Sequence, residues 1–223
     1  DGTSHLVAAT IPNCKAYDPA FAGELAVIID TGMREMLLEQ RDVFYYLTTM
    51  NENYAQPDLP DSAHAGVLRG AYLFKSYLRN SSNGSGAISS EKHVTLLGSG
   101  AILTEVLQAA EQLAAQGINA HVVSVTSWSE LARDGQACEE GHADGAATPW
   151  LAQVLAHTQG PIVAATDYVR AVPETVRAYL PPGRAYRTLG TDGFGRSDTR
   201  AALRRAFGVD AKNIAATAHA LLG

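Results

Sequence analysis

Cysteine is nearly absent from this sequence: 223 residues hold two, Cys14 and Cys138, far apart and in no metal-ligand spacing. At most one bridge could form, which excludes a disulfide framework and leads us to expect a reduced, cytoplasmic setting. Long hydrophobic runs are missing too; none approaches the roughly 20 residues that a membrane-crossing helix needs. Basic charge is thin, with 17 Lys and Arg against 23 Asp and Glu, a net charge of −6, and no basic run longer than the pair Arg204-Arg205. Nucleic acid and anionic membrane surfaces are therefore poor partners for this chain. The seven histidines (His5, His64, His93, His121, His142, His157 and His219) fall in neither an H-x-x-x-H nor an H-E-x-x-H spacing, so the usual zinc signatures are excluded. No Gly-x-Ser-x-Gly string is present to supply a hydrolase nucleophile. The chain starts at Asp1 with neither a methionine nor a signal peptide, and apolar residues follow at once. A piece of a longer polypeptide is expected on that ground.

What is present is an ordinary globular composition, 46% apolar and 18% charged, with enough length for a real core. His5 to Ile11 is a short apolar run, read as an interior strand. Asp18-Pro19 has the form of an N-cap followed by proline at the first helical position. Phe21, Leu25, Ile28, Ile29, Met36 and Leu37 then follow at helical spacing, which predicts one long buried stripe. Val43 to Thr49 is β-branched and aromatic, hence a strand. Leu68 to Tyr77 is apolar and extended, and Arg79 to Ser90, rich in Asn, Ser and Gly, reads as a linker. The second half alternates. Strands are predicted at 93–97, 120–125, 161–166 and up to Gly190. Helices are predicted at 103–113, from the capping box at Ser127-Trp-Ser-Glu130, from Thr148-Pro149 through Leu155, and from Pro173 to Leu180. The last two are expected from an N-cap at Ser197 to Gly208 and from Asp210 to Leu222. This β-α repeat predicts an α/β fold with mostly parallel sheets and helices on both faces. The division expected is 1–78, a linker at 79–92, and a second domain at 93–223.

Few residues carry a chemical signal. Gly98-Ser-Gly100, between a strand and a helix, is a possible phosphate cradle, but position 103 is Leu103 rather than a third glycine, and no acidic residue closes the next strand. A plain turn is the better reading. Glu139-Glu140 reads as a solvated loop. Asn51, Glu52 and Asn53 follow a strand at its carboxyl end, where ligands of α/β sheets bind; interdomain hydrogen bonding is the alternative use for them.

Three groups of strings resemble one family. Asp1-Gly-x-Ser-His5, Thr10-Ile-Pro-Asn-Cys14 and Tyr17-Asp-Pro19 form the first, and Tyr45-Tyr-Leu-Thr-Thr-Met-Asn-Glu-Asn-Tyr54 the second. The third comprises Leu97-Gly-Ser-Gly100, Ser124-Val-Thr-Ser127, Glu130-Leu-Ala-Arg-Asp-Gly-Gln136 and Gly190-Thr-Asp-Gly-Phe-Gly-Arg-Ser-Asp198. Together they resemble the carboxyl-terminal third of the homodimeric, decarboxylating first component of bacterial pyruvate dehydrogenase complexes. Transketolase is a more distant likeness. The resemblance implies the end of a pyrimidine-binding domain followed by a transketolase-like carboxyl-terminal domain. It implies oxidative decarboxylation of pyruvate with acetyl transfer to lipoyl groups, using thiamine diphosphate and magnesium in the intact enzyme. The partners it implies are the rest of the polypeptide, a second subunit and a lipoyl acyltransferase. It places the cofactor and metal motifs upstream of Asp1, so no cofactor is expected on this piece and the piece alone is expected to be inactive. His5, Asn51, Glu52 and Asn53 remain as candidates for the active-site wall, while Asp192 and Arg196 read as turn and interface residues. The Ser/Gly-rich segment at 79–90 is longer than the family's connection.

Overall fold

The computed structural model describes residues 2–78, 91–141 and 148–223. Residues 79–90 of the expected linker, and His142, lie outside them. Helix α1 spans Ser4–Ala9, strand β1 Cys14–Tyr17, helix α2 Ala22–Met33 (continued by a π-turn, Arg34–Leu38) and strand β2 Phe44–Leu47. Helix α3, His64–Arg69, leads into β3, Ala71–Tyr77. Then come β4 (His93–Gly98), α4 (Ile102–Ala115), β5 (Asn119–Val125), α5 (Trp128–Glu139), α6 (Trp150–Leu155), β6 (Ile162–Ala165), α7 (Ala171–Glu174), β7 (Tyr186–Leu189), α8 (Arg200–Phe207) and α9 (Ala211–Leu222). None of the described helices is long and apolar enough to cross a membrane.

β1 and β2 make a two-stranded parallel sheet in register from Cys14 opposite Phe44 to Tyr17 opposite Leu47. The second sheet has the order β3-β5-β4-β6-β7, parallel except for β3, which runs antiparallel to β5. The second sheet thus begins upstream of the segment 79–92. Side-chain alternation divides its core between two helical layers. Leu96, Val122 and Val163 face α4 and α9 through Ile102, Val106, Leu113 and Ile214. Their neighbours Leu97, Val123 and Ile162 face α5 and α6 through Leu131, Leu151 and Leu155. β5, between antiparallel β3 and parallel β4 and covered on both faces, is buried along its whole length.

Several local expectations are corrected. His5–Ile11 is not a strand: Ser4–Ala9 is helical and buries His5 and Ala8, three residues apart on one face. An apolar run this short has no period that separates the two states. Asp18-Pro19 does not start α2. Asp18 is buried, and the helix opens at Ala22, where Glu24 takes the free amides. The N-cap of α8 is Thr199, whose hydroxyl accepts from the Ala202 amide, rather than Ser197. Pro173 to Leu180 breaks into α7 and a 3-10 turn, Arg177–Tyr179. Ser127 does cap α5, accepting from the Glu130 amide, but the Glu130 carboxylate pairs with Arg133 instead of closing the box. Gly208 ends α8 in the left-handed region and Asp210 caps α9.

Glu24 ties α2, the connection between β1 and β2, to the second sheet. It is fully buried, and its Oε2 accepts from the amides of Ala20 and Phe21 at 2.6 and 3.0 Å. Its Oε1 accepts from the Tyr72 and Ser124 hydroxyls at 2.8 and 2.6 Å. One carboxylate therefore caps α2 and ties it to β3 and β5. A Gln amide would turn an NH2 group toward two of these donors and leave them unpaired. Glu24→Gln is expected to cost about 3 kcal/mol, read as a lower urea midpoint at unchanged slope.

Candidate functional site

The register of β1 and β2 brings their next residues, Asp18 and Thr48, side by side at the carboxyl ends of the strands. The Thr48 amide donates to the Tyr17 carbonyl at 3.1 Å, and the Thr48 hydroxyl donates to Asp18 Oδ1 at 2.8 Å. His5, delivered by α1, meets the same hydroxyl through Nε2 at 3.0 Å. Its ring packs edge-on against Tyr168 and Tyr46, with centroids 4.5 and 5.5 Å away. Across the junction the turn after β4 closes on Asp18: the Gly100 amide donates to the Asp18 carbonyl at 3.0 Å. Ser99 and Thr166, each the first residue beyond its strand, pair at 3.1 Å in a fully buried contact. The ends of β1, β2, β4 and β6 thus converge on one polar cluster, where sheets of this class hold their sites.

Burial sets the electrostatics. Thr48 donates to Asp18 Oδ1, the Ser99 hydroxyl lies near the same carboxyl, and no donor is aligned on Oδ2. Desolvation pushes its carboxyl up to about 6, against the pull of Thr48 and Ser99. Desolvation also lowers His5 to about 4, so it is neutral at pH 7. Asp167 and Tyr168 are raised for the same reason.

The residues after β2 do a different job. The carbonyl and Oδ1 of Asn51 accept from Arg200 of α8. Glu52 takes a two-pronged pair from Arg204, whose Nη1 also reaches Glu105 at 3.1 Å. Glu105 in turn accepts from the Ala211 amide at 2.9 Å. Asn51 and Glu52 therefore fasten the exit from β2 to α8, α4 and α9, while Asn53 is exposed. Of the four residues expected at an active-site wall, His5 sits in the polar cluster, and Asn51 and Glu52 bond to Arg200 and Arg204 of α8. Sequence reasoning missed Asp18, Thr48, Ser99, Thr166, Asp167 and Tyr168. The signal was there, since each follows an apolar strand as its first polar residues. Asp192 behaves as a turn residue, accepting from the Arg170 amide and Nε at 2.8 and 2.5 Å. Glu139 is exposed at the end of α5.

Gly98–Gly100 does not fit a diphosphate. Gly100 has φ +51 and lies against the Asp18 carboxyl; a Cβ there would be 2.6 Å from Oδ2. An anionic ligand would meet a buried acid. Among the described residues, no three or more of His, Cys, Asp and Glu are placed to hold a metal ion. The Gly98–Gly100 turn is therefore no cradle for thiamine diphosphate or its magnesium.

Residues 70–210 match the family model of the transketolase-like C-terminal domain, and residues 1–57 match that of the pyruvate dehydrogenase E1 component middle domain. The chain belongs to the transketolase-like C-terminal domain family. The pyruvate dehydrogenase E1 component of Pseudomonas aeruginosa is 46% identical over 215 residues, covering 94% of this chain and 23% of the relative. Its counterpart in Mycobacterium tuberculosis is 43% identical over 231 residues, covering 100% of this chain and 24% of the relative. The chain thus spans about a quarter of the length of the curated relatives it matches. Among solved structures, "Split gene transketolase, inactive beta4 tetramer" superposes with a TM-score of 0.61 at 18% identity, over 99% of this chain and 62% of that one. Transketolase from Leishmania mexicana gives 0.58 at 18% identity, over 99% and 27%. These last two establish the fold.

Two predictions follow from the geometry. Arg204→Met strands two carboxylates in a half-buried setting and is expected to cost about 3 kcal/mol; in a double-mutant cycle Glu52→Gln recovers part of that loss. The second concerns pH. Between about pH 4 and 6 folded Asp18 holds a proton that the unfolded chain releases, so its contribution to stability falls as pH rises. Folded His5 lacks a proton that the unfolded chain binds between about 4 and 6.5, so its contribution rises with pH. The two oppose each other. Asp18→Asn is expected to steepen the rise of unfolding free energy from pH 4 to 6, measured by urea titration at each pH.

Proposed function

We propose that this chain is the carboxyl-terminal part of a thiamine diphosphate-dependent pyruvate dehydrogenase E1. The enzyme's work would be the oxidative decarboxylation of pyruvate and transfer of the acetyl unit to a lipoyl group of an acyltransferase partner in the cytoplasm. The cofactor, when bound, supplies carbanion stabilisation. The residues proposed here for the active-site wall are His5, with Asn51, Glu52 and Asn53 at its margin. Supporting this reading is one observation above all: the first sheet is left half-clothed. Two parallel strands cannot make a stable sheet alone, and one side of α2 and its π-turn presents Ile29, Met33, Leu37 and Leu38, the last 79% exposed, with Phe44 exposed on β2. In this reading the strip is covered by upstream parts of the same polypeptide, which hold the cofactor and magnesium. A second subunit packs on the carboxyl-terminal domain, and Phe194, 97% exposed at the tip of the glycine loop beside Arg196, belongs to that contact.

A second reading, a non-catalytic dimerisation domain, draws support from the fold neighbour described as an inactive β4 tetramer of a split-gene transketolase. Pyruvate-dependent reduction of an artificial electron acceptor decides what the chain does by itself. With thiamine diphosphate and magnesium added, we expect no turnover above buffer; turnover by the chain alone would overturn the reading.

A further inference from the structure

The hydrogen bonds around His5 have a direction, and the direction fixes which ring nitrogen carries the proton. Thr48 has one hydroxyl proton. Its acceptors are Asp18 Oδ1 at 2.8 Å and, more distantly, the Tyr17 carbonyl at 3.3 Å. With that proton spent on an acceptor, the contact at 3.0 Å between Thr48 Oγ1 and His5 Nε2 requires Nε2 to donate. We propose that Asp18 and Thr48 are positioning residues for His5: they hold its ring as the Nε2–H tautomer, leave the lone pair on Nδ1, and give a proton taken there a route to a buried carboxylate.

The route balances without any co-reactant. A proton accepted at Nδ1 is matched by loss of the Nε2 proton to Thr48 Oγ1, and the Thr48 hydroxyl proton passes to Asp18 Oδ1. The ring ends neutral and the carboxylate ends as a carboxylic acid. Asp18 is built for this end state. It is 4% exposed and its second oxygen is unpartnered. The titratable groups that face it are the acids Glu24 and Asp167, the phenols Tyr54 and Tyr168, and His5 through Thr48; among the described residues no Lys or Arg pairs with it. The ordinary price of ionising such a group keeps its carboxyl near 6, close enough to neutrality to take and return a proton. His5 is wedged between Tyr46 and Tyr168 and does not protonate fully there on its own. The same logic of a buried acid setting a tautomer underlies the histidine of hydrolase triads.

That His5 meets a ligand rests on the function proposed above; its tautomer does not, and it is read without turnover. The experiment is long-range proton–nitrogen NMR of the protein, with 15N-labelled histidine, at pH 7.5. The expected pattern for His5 is a protonated Nε2 and an unprotonated Nδ1. Thr48→Val should mix or reverse the tautomers, and Thr48→Ser should restore the wild-type pattern. Asp18→Asn keeps an acceptor but cannot store the proton, so the inflection near pH 6 in the His5 shifts should vanish. A wild-type ring protonated at Nδ1 would overturn the proposal, whether or not any variant folds. So would a folded Thr48→Val protein with the wild-type pattern.

Discussion

The beginning of this chain is tied to the rest by buried polar contacts, and the Glu24 carboxyl is the most demanding of them. A carboxylate with no exposure survives only if its lone pairs are used, and four donors use them. Two are amides at the start of α2, and two are hydroxyls on β3 and β5. Helix capping and sheet packing are thereby the same interaction. The helix cannot loosen without stranding Tyr72 and Ser124, and the second sheet cannot shift without uncapping the helix. Arg133 repeats the device on the other side of the junction, donating to the carbonyls of Cys14 and Ile11 at 2.7 and 2.8 Å. A two-stranded sheet too small to stand alone is held in place by polar contacts to a larger one.

The polar cluster follows from that arrangement. Once β1 and β2 are fixed against the β4 turn, four strand ends open into one small volume, and the first polar residue of each has nowhere else to point. At the start of α2 four donors meet the Glu24 carboxyl, while on Asp18 no donor is aligned on Oδ2. Two buried acids in one junction therefore differ: the oxygens of Glu24 are filled by four donors, and Asp18 is pressed toward its neutral form. Arg204, 9% exposed, clamps the outer edge by gathering Glu52 and Glu105. The segment that leaves Thr48 is thus fixed at both ends.

Much of the second half was legible because its strands end in glycine or a cap and its helices keep one apolar face. Ser127, Gly208 and Asp210 act where local chemistry places them. The first half was harder. Ser4–Ala9 is equally apolar as helix or strand, and nothing within six residues decides between them. Asp18-Pro19 has the form of a helix start, but the buried junction claims the aspartate and Glu24 takes over the cap. The same cause hid the site. Asp18 meets Thr48 thirty residues on and Gly100 across the sheet junction, so its burial is a property of the packed chain rather than of its neighbours in sequence. Asn51 and Glu52 were visible as polar residues at a strand end, but their partners on α8 lie about 150 residues away.

The central claim is that residues before and after the junction form one cooperative unit locked by Glu24. Native-state hydrogen exchange tests it directly. The amides of Ala20 and Phe21, which donate to Glu24, should exchange only through global unfolding, with the same free energy and denaturant dependence as the amides of β5. Exchange of these two amides through a local opening, well below the stability of β5, would contradict the account.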